Sequence, residues 1–256
     1  MTLQACAALV HRADPDRFLA AMAAPVPARA VLFPLYALNV EVSRAPWVTE
    51  EHMIAEMRLQ FWRDVAEEIG AGKPPRAHEV VAPLAAVVGP EDAPLLDQLI
   101  AMRRWDIYKD GFDDQAHFDG YIDATSGNLM WLGAKALGAG PDAEAAVRDY
   151  AFAAGLAAFL RAIPALEAKG RVPLLDGTPQ GVRDLAEAGL RRLAAARAAR
   201  RTVPRQAVPA LYAGWRAAAT LQAARDVPER VIEAKLDESE FAKRARLIWV
   251  SATGRW

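Results

Sequence analysis

Four aspartates have the spacing best suited to chemistry in this 256-residue chain: Asp106 and Asp110 stand at i, i+4, and so do Asp119 and Asp123. Two carboxylates one helical turn apart point the same way, so one helix can offer both to a hard cation such as Mg2+. If the chain reverses near Asp114, Asp110 comes level with Asp119 and Asp106 with Asp123, and four carboxylates converge on one ion. The plainer reading is a solvated acidic turn between two helices, with Asp106 the one of the four that faces inward. A second set is cationic. Arg161, Lys169 and Arg171 suit a diphosphate or a phospholipid headgroup, because arginine grips phosphate oxygens bidentately and lysine adds a point charge. Equally, they can pair with Glu167 or Asp176 and hold a helix end. Glu41 and Glu167 each stand alone, and a single carboxylate holds Mg2+ weakly.

Other reactive types are sparse. His11, His52, His78 and His117 have no second histidine at metal-ligand spacing, and Cys6 is the only cysteine, which excludes intramolecular disulfides and Cys-rich zinc sites. No glycine-rich phosphate loop, nucleotide fingerprint or Ser/His/Asp arrangement appears. A formal charge of -1 gives nucleic acid no reason to bind the chain as a whole. The one local charge block is Arg191, Arg192, Arg197, Arg200, Arg201 and Arg205, set among Leu190, Leu193 and alanines. It reads either as a solvated helix face paired with Asp184 and Glu187 or as a basic amphipathic helix for an anionic membrane or an acidic partner.

The elements that must position these residues are helices. Apolar residues recur at three- to four-residue spacing almost throughout, and alanine has the best helix propensity. Asp14-Pro15-Asp16 and Thr178-Pro179 are cap-and-first-turn signals. Ile54, Met57, Phe61, Val65 and Ile69 predict the inner stripe of a long helix opening at Thr49. A second helix starts at Gly89-Pro90 and runs towards Tyr108, a third carries Phe118 to Leu137, and Asp142 caps a fourth. A hydrophobic share of 53% against 25% charged predicts a folded core, and no linker divides residues 1–256, so one domain is expected. The N-terminus lacks the pattern of a secretion signal. No uncharged apolar stretch reaches the roughly 20 residues of a membrane span, Tyr150 to Leu160 being cut off by Arg161. The expectation is a cytoplasmic protein, with peripheral contact at the inner membrane as an option.

Four stretches together resemble the squalene/phytoene synthase family. Leu160-Arg161-Ala162-Ile163-Pro164-Ala165-Leu166, followed by Gly170-Arg171, is similar to the family's Leu-Arg-Asp-Val-Gly-Glu-Asp and later Gly-Arg. Leu99 to Ile107 and Tyr121 to Leu132, with Gly127 on a shared glycine, match two further family helices without a gap between them. Arg29 to Asn39 is similar to Arg-x-Ala-Leu-x-Ala-Leu-Tyr-Ala-Phe-Cys, after which the enzymes continue Arg-x-x-Asp-Asp-x-x-Asp. In this chain the arginine of that continuation is Val40, its aspartates are Ser43, Arg44 and Trp47, and the two aspartates of the later motif are Ala162 and Leu166.

The resemblance implies an all-α, single-domain isoprenoid-synthase-type helical bundle. It also implies that both Asp-rich Mg2+ motifs are vacated, leaving no catalytic residue at those positions. Tyr36, Asn39, Glu41, Tyr108, Tyr121 and Phe159, with Trp131, fall where the enzymes wall a prenyl tunnel, though aromatic residues at helical spacing also make ordinary core. Asn39-Val40-Glu41, Met57 to Trp62 and Leu160 to Pro164 are most similar to a non-catalytic branch related to a mitochondrial assembly factor of respiratory complex I. That branch implies complex I subunits or assembly proteins as partners, an isoprenoid or phospholipid as an additional ligand, and no cofactor. The alternatives are a divergent prenyltransferase that uses Mg2+ on the four aspartates, and an isoprenoid carrier.

Overall fold

Alanine-rich segments punctuated by proline fold as helices along the whole chain in a computed structural model that describes residues 2–256. In order they are α1 (Leu3–Ala13), α2 (Pro15–Ala23), α3 (Val26–Arg44), α4 (His52–Gly70), α5 (Val81–Ala85), α6 (Ala93–Met102) and α7 (Gln115–Ile122). Then follow α8 (Asn128–Ala136), α9 (Glu144–Ala168), α10 (Pro179–Ala198), α11 (Val208–Leu211), α12 (Ala217–Asp226), α13 (Glu229–Ile232) and α14 (Glu240–Thr253). No strand occurs among the described residues. Two of the sequence caps act as read: Asp14 accepts from the Arg17 backbone N–H at 3.0 Å, and Thr178 Oγ1 accepts from that of Gly181 at 3.1 Å.

The core is built on α3 and α9. Leu32 to Val40 of α3 are buried without a break, and α9 packs against α8, α10 and α12. The stretch Pro141–Ala168 is apolar and long enough to cross a membrane by length and composition, yet its most apolar window is 56% buried inside the bundle. Between α7 and α8 the chain makes a π-helical turn, Asp123–Gly127, against which α9 crosses closely. A Cβ on Gly155 would stand 2.4 Å from Ser126 Oγ, so this crossing requires glycine.

Three sequence expectations shift. The inner stripe of α4 is Ala55, Leu59, Trp62, Ala66 and Ile69 with Val65, while Ile54 and Met57 face solvent. The α-helix expected to reach Tyr108 ends at Met102 and continues as a 3-10 turn over Arg103–Asp106, which takes Asp106 and Asp110 off a common helical face. Asp142 makes no cap; it lies inside a 3-10 turn, Pro141–Ala143, and α9 starts at Glu144.

Candidate functional site

The C-terminal end of α3 faces the C-terminal half of α9 across a cavity of about 240 Å3. Ser43, Arg44 and Trp47 line it from one side and Ala162 and Leu166 from the other, with Asn39, Tyr121 and Phe159 completing its walls. Five positions far apart in sequence therefore share one space. The space exists because α9 presents Gly155, Ala158 and Ala162 there, side chains too short to fill it.

Two carboxylates line this cavity, Asp14 and Asp106, and each is already engaged. Asp14 pairs with Arg17 at 2.5 Å. Asp106 accepts from the Tyr121 hydroxyl at 2.8 Å and from Arg103 Nη1 at 3.1 Å, while the same Nη1 donates to the Tyr121 oxygen at 2.9 Å. Arg103 Nη2 reaches Asn39 Oδ1 at 3.4 Å, so the knot ties α3, the 103–106 turn and α7 together. Burial pushes the Tyr121 phenol far above its ordinary value and keeps it a donor. Burial opposes the charge on Arg103, but Tyr121 and Asp106 outweigh it and raise its pKa.

Deeper in the bundle a second cavity of about 150 Å3 shares Asp14, Arg17, Ser126, Gly155 and Ala158 with the first. Its polar wall is an ion-pair chain. Asp16 Oδ2 receives Arg216 Nη1 at 2.5 Å and Arg161 Nη1 at 2.9 Å, and Arg216 also pairs with Asp237. Burial alone would raise the Asp16 carboxyl, yet the hydrogen bonds and charges of Arg216 and Arg161 together hold it below the ordinary carboxylate range. Asp237 is lowered first by its hydrogen bond from Arg216. Tyr36 Oη, Trp215 Nε1, Thr220 Oγ1 and the Nε atoms of Arg17, Arg161 and Arg216 have no hydrogen-bond partner among the described residues, and all six residues line this cavity. Buried polar atoms are normally satisfied, so this donor-rich space suits ordered water. Both cavities fall below the roughly 300–1,000 Å3 of a typical ligand pocket. Beside the outer cavity, Phe159 packs on Phe118 at 5.3 Å and Tyr121 at 6.0 Å, and Phe112 stacks on Trp105 at 4.0 Å.

The four-aspartate cluster does not form. Asp106 is tied as above, Asp110 is exposed in a loop, Asp119 accepts from Gln115 Nε2 at 2.7 Å, and Asp123 pairs with Arg148 at 3.2 Å. Among the described residues no three His, Cys, Asp or Glu side chains are grouped to share a metal. The expected cationic trio also disperses. Arg161 serves the inner ion-pair chain, Arg171 donates to the Trp105 carbonyl and lies over its ring, and Lys169 is exposed at the end of α9, as is Glu167. Of the expected lining residues, Tyr36, Asn39, Tyr121 and Phe159 do line the two cavities. Glu41 instead lies 3.7 Å from Arg58, Tyr108 is exposed and donates to Glu56, and Trp131 is core. The residues that sequence reasoning missed are Asp16, Arg17, Arg103 and Arg216. Asp14-Pro15-Asp16 carried the signal for the first, but it read as helix punctuation alone.

Comparison with known proteins agrees with this architecture. The chain is 27% identical over 165 residues to human "NADH dehydrogenase (ubiquinone) complex I, assembly factor 6", covering 62% of this chain and 48% of that protein. The bovine protein of the same name is 28% identical over 174 residues, covering 65% and 51%. The chain thus spans about half the length of the curated relatives it matches. A crystal structure of a dehydrosqualene synthase in complex with ligand superposes with a TM-score of 0.80 at 14% identity, covering 98% of this chain and 95% of that one, which establishes the isoprenoid-synthase fold. The squalene/phytoene synthase family pattern matches residues 10–174, well over half of the sequence, and the chain therefore belongs to the squalene/phytoene synthase family.

Proposed function

We propose that this chain is a non-catalytic member of its family that acts in the assembly of respiratory complex I through protein or lipid interaction. The observation that carries the first half is the outer cavity: Ser43, Arg44, Trp47, Ala162 and Leu166 line it, and its two carboxylates are each neutralised by an adjacent arginine. Ionising a prenyl diphosphate needs Mg2+ held by several oxygen ligands with charge to spare. A cavity with Arg17, Arg44 and Arg103 against Asp14 and Asp106 has an excess of positive charge instead, and does not fit the metal. The second half rests on the relatives, which carry the name of a complex I assembly factor.

The test is incubation of the purified protein with farnesyl or geranylgeranyl diphosphate and Mg2+, followed by product analysis. No condensation product is expected above the protein-free control, and a protein-dependent product would restore the prenyltransferase reading. Deletion of the gene is expected to lower assembled complex I while leaving isoprenoid composition unchanged.

A further inference from the structure

Helix α14 has one face that nothing among the described residues covers. Ser239 caps its start, Gly254 closes it in a left-handed conformation, and Leu247 and Val250 are buried on its inner side, where the helix lies on α2 and the 212–214 turn. Tyr212 Oη donates to the Ser251 carbonyl at 3.4 Å. With the inner face fixed in this way, Phe241, Ile248 and Trp249 point outward at 83%, 67% and 56% exposure. They stand at i, i+7 and i+8, with Ala245 and Ala252 exposed between and beyond them, which makes one apolar stripe.

The charges around the stripe are uneven. Lys243 pairs with Glu240, Arg246 with Glu238 and Arg216 with Asp237, which neutralises the flank that meets the body. Arg244, within the outer face, and Arg255, just past the helix, are exposed and form no ion pair with the described residues. The basic block of α10 divides in the same sense. Arg191 and Arg192 pair with Glu187 and Asp149, and Arg197 donates to the backbone oxygen of Trp256 at 3.0 Å. That contact brings the end of α10 to the end of α14, and the next turn supplies Arg200 and Arg201, both exposed and without a carboxylate partner among the described residues.

We propose that α14 is a docking helix for an anionic phospholipid bilayer, with Phe241, Ile248 and Trp249 in the interfacial layer and Arg244, Arg255, Arg200 and Arg201 on lipid phosphates. An exposed stripe of large apolar and aromatic residues beside unpaired arginines is the composition that lies in a headgroup layer. A second copy of the chain fits less well, because a two-fold contact would set the same unpaired arginines against one another. The bilayer contact is the lipid arm of the proposed function, and its failure would leave the complex I reading resting on protein interaction.

Flotation of the full chain with vesicles of phosphatidylcholine, alone or mixed with phosphatidylglycerol, tests it. Binding is expected to the mixed vesicles and not to neutral ones, and it should weaken as salt rises. The Phe241→Ser, Ile248→Ser, Trp249→Ser variant changes only exposed side chains and should lose binding while keeping its circular dichroism and melting temperature. Arg244→Ala with Arg255→Ala should weaken binding roughly thirtyfold, at about 1 kcal/mol per arginine near an anionic surface. No binding to mixed vesicles, equal binding to both kinds, or binding unchanged in both variants would overturn the assignment. So would a concentration-dependent dimer that the serine variant abolishes.

Discussion

Arg161 and Asp16 lie 145 positions apart in sequence, and their side chains meet at 2.9 Å, joining α9 to α2 behind the cavity. Asp16 is shared with Arg216, whose side chain is only 7% exposed, so one carboxylate bridges two guanidinium groups and Asp237 supplies the second counter-charge. The arginine expected to grip an anion is here part of the scaffold.

Replacing Asp16 with Asn should therefore destabilise the fold by about 2 kcal/mol. The figure lies below that for a fully buried pair because the carboxylate keeps some solvent exposure and Asp237 remains with Arg216. Urea unfolding measures it. An unchanged midpoint would mean that the ion-pair chain adds nothing to stability.

The same carboxylates set an acid limit. Asp16 and Asp237 are held below their ordinary value of 3.8 in the folded protein. A depressed folded pKa contributes stability that is fully present above the unfolded pKa and is lost as pH falls through the folded one. The melting temperature should thus drop on acidification below about pH 4, and the Asp16→Asn variant should show a shallower drop. Parallel pH profiles would remove Asp16 from the account.

At the outer cavity, Asp106→Asn leaves Arg103 without its counter-charge and should cost about 2 kcal/mol, whereas Tyr121→Phe removes one hydrogen-bonding hydroxyl and should cost about 1 kcal/mol. Denaturant midpoints rank the two. If Asp106 were instead a reserve metal ligand, Asp106→Asn would leave the midpoint unchanged or raise it.

Since Ser43 and Ala162 line one cavity, carboxylates placed there would face a shared space. The Ser43→Asp, Ala162→Asp double variant is expected to gain a melting-temperature increase with Mg2+, as any ligand that binds only the native state stabilises it. The unaltered protein should show none. A response in the unaltered protein would point to a metal site elsewhere.

Much of this was legible in the sequence. Helical periodicity, the caps at Asp14 and Thr178, and the four family-like stretches are local signals, and the fold follows them. Of the residues expected to line a pocket, Tyr36, Asn39, Tyr121 and Phe159 do so, whereas Glu41 and Tyr108 turn to Arg58 and Glu56 instead. The inner stripe of α4 was misread because Ala55 and Ala66 give weaker signals than Ile54 and Met57, and the packing of α4 on α6 decided between the two stripes. The ion-pair chain was not legible. Asp16 meets Arg161 and Arg216 only after the bundle closes, and nothing in their local sequence marks them as partners.

The most direct test of the central claim is the amount of assembled, active complex I in membranes of a strain lacking this chain, measured with and without the chain restored. A marked fall that is reversed on restoration is expected, with carotenoids, hopanoids and other isoprenoids unchanged. Normal complex I in the deletion strain, or a lost isoprenoid, would contradict it.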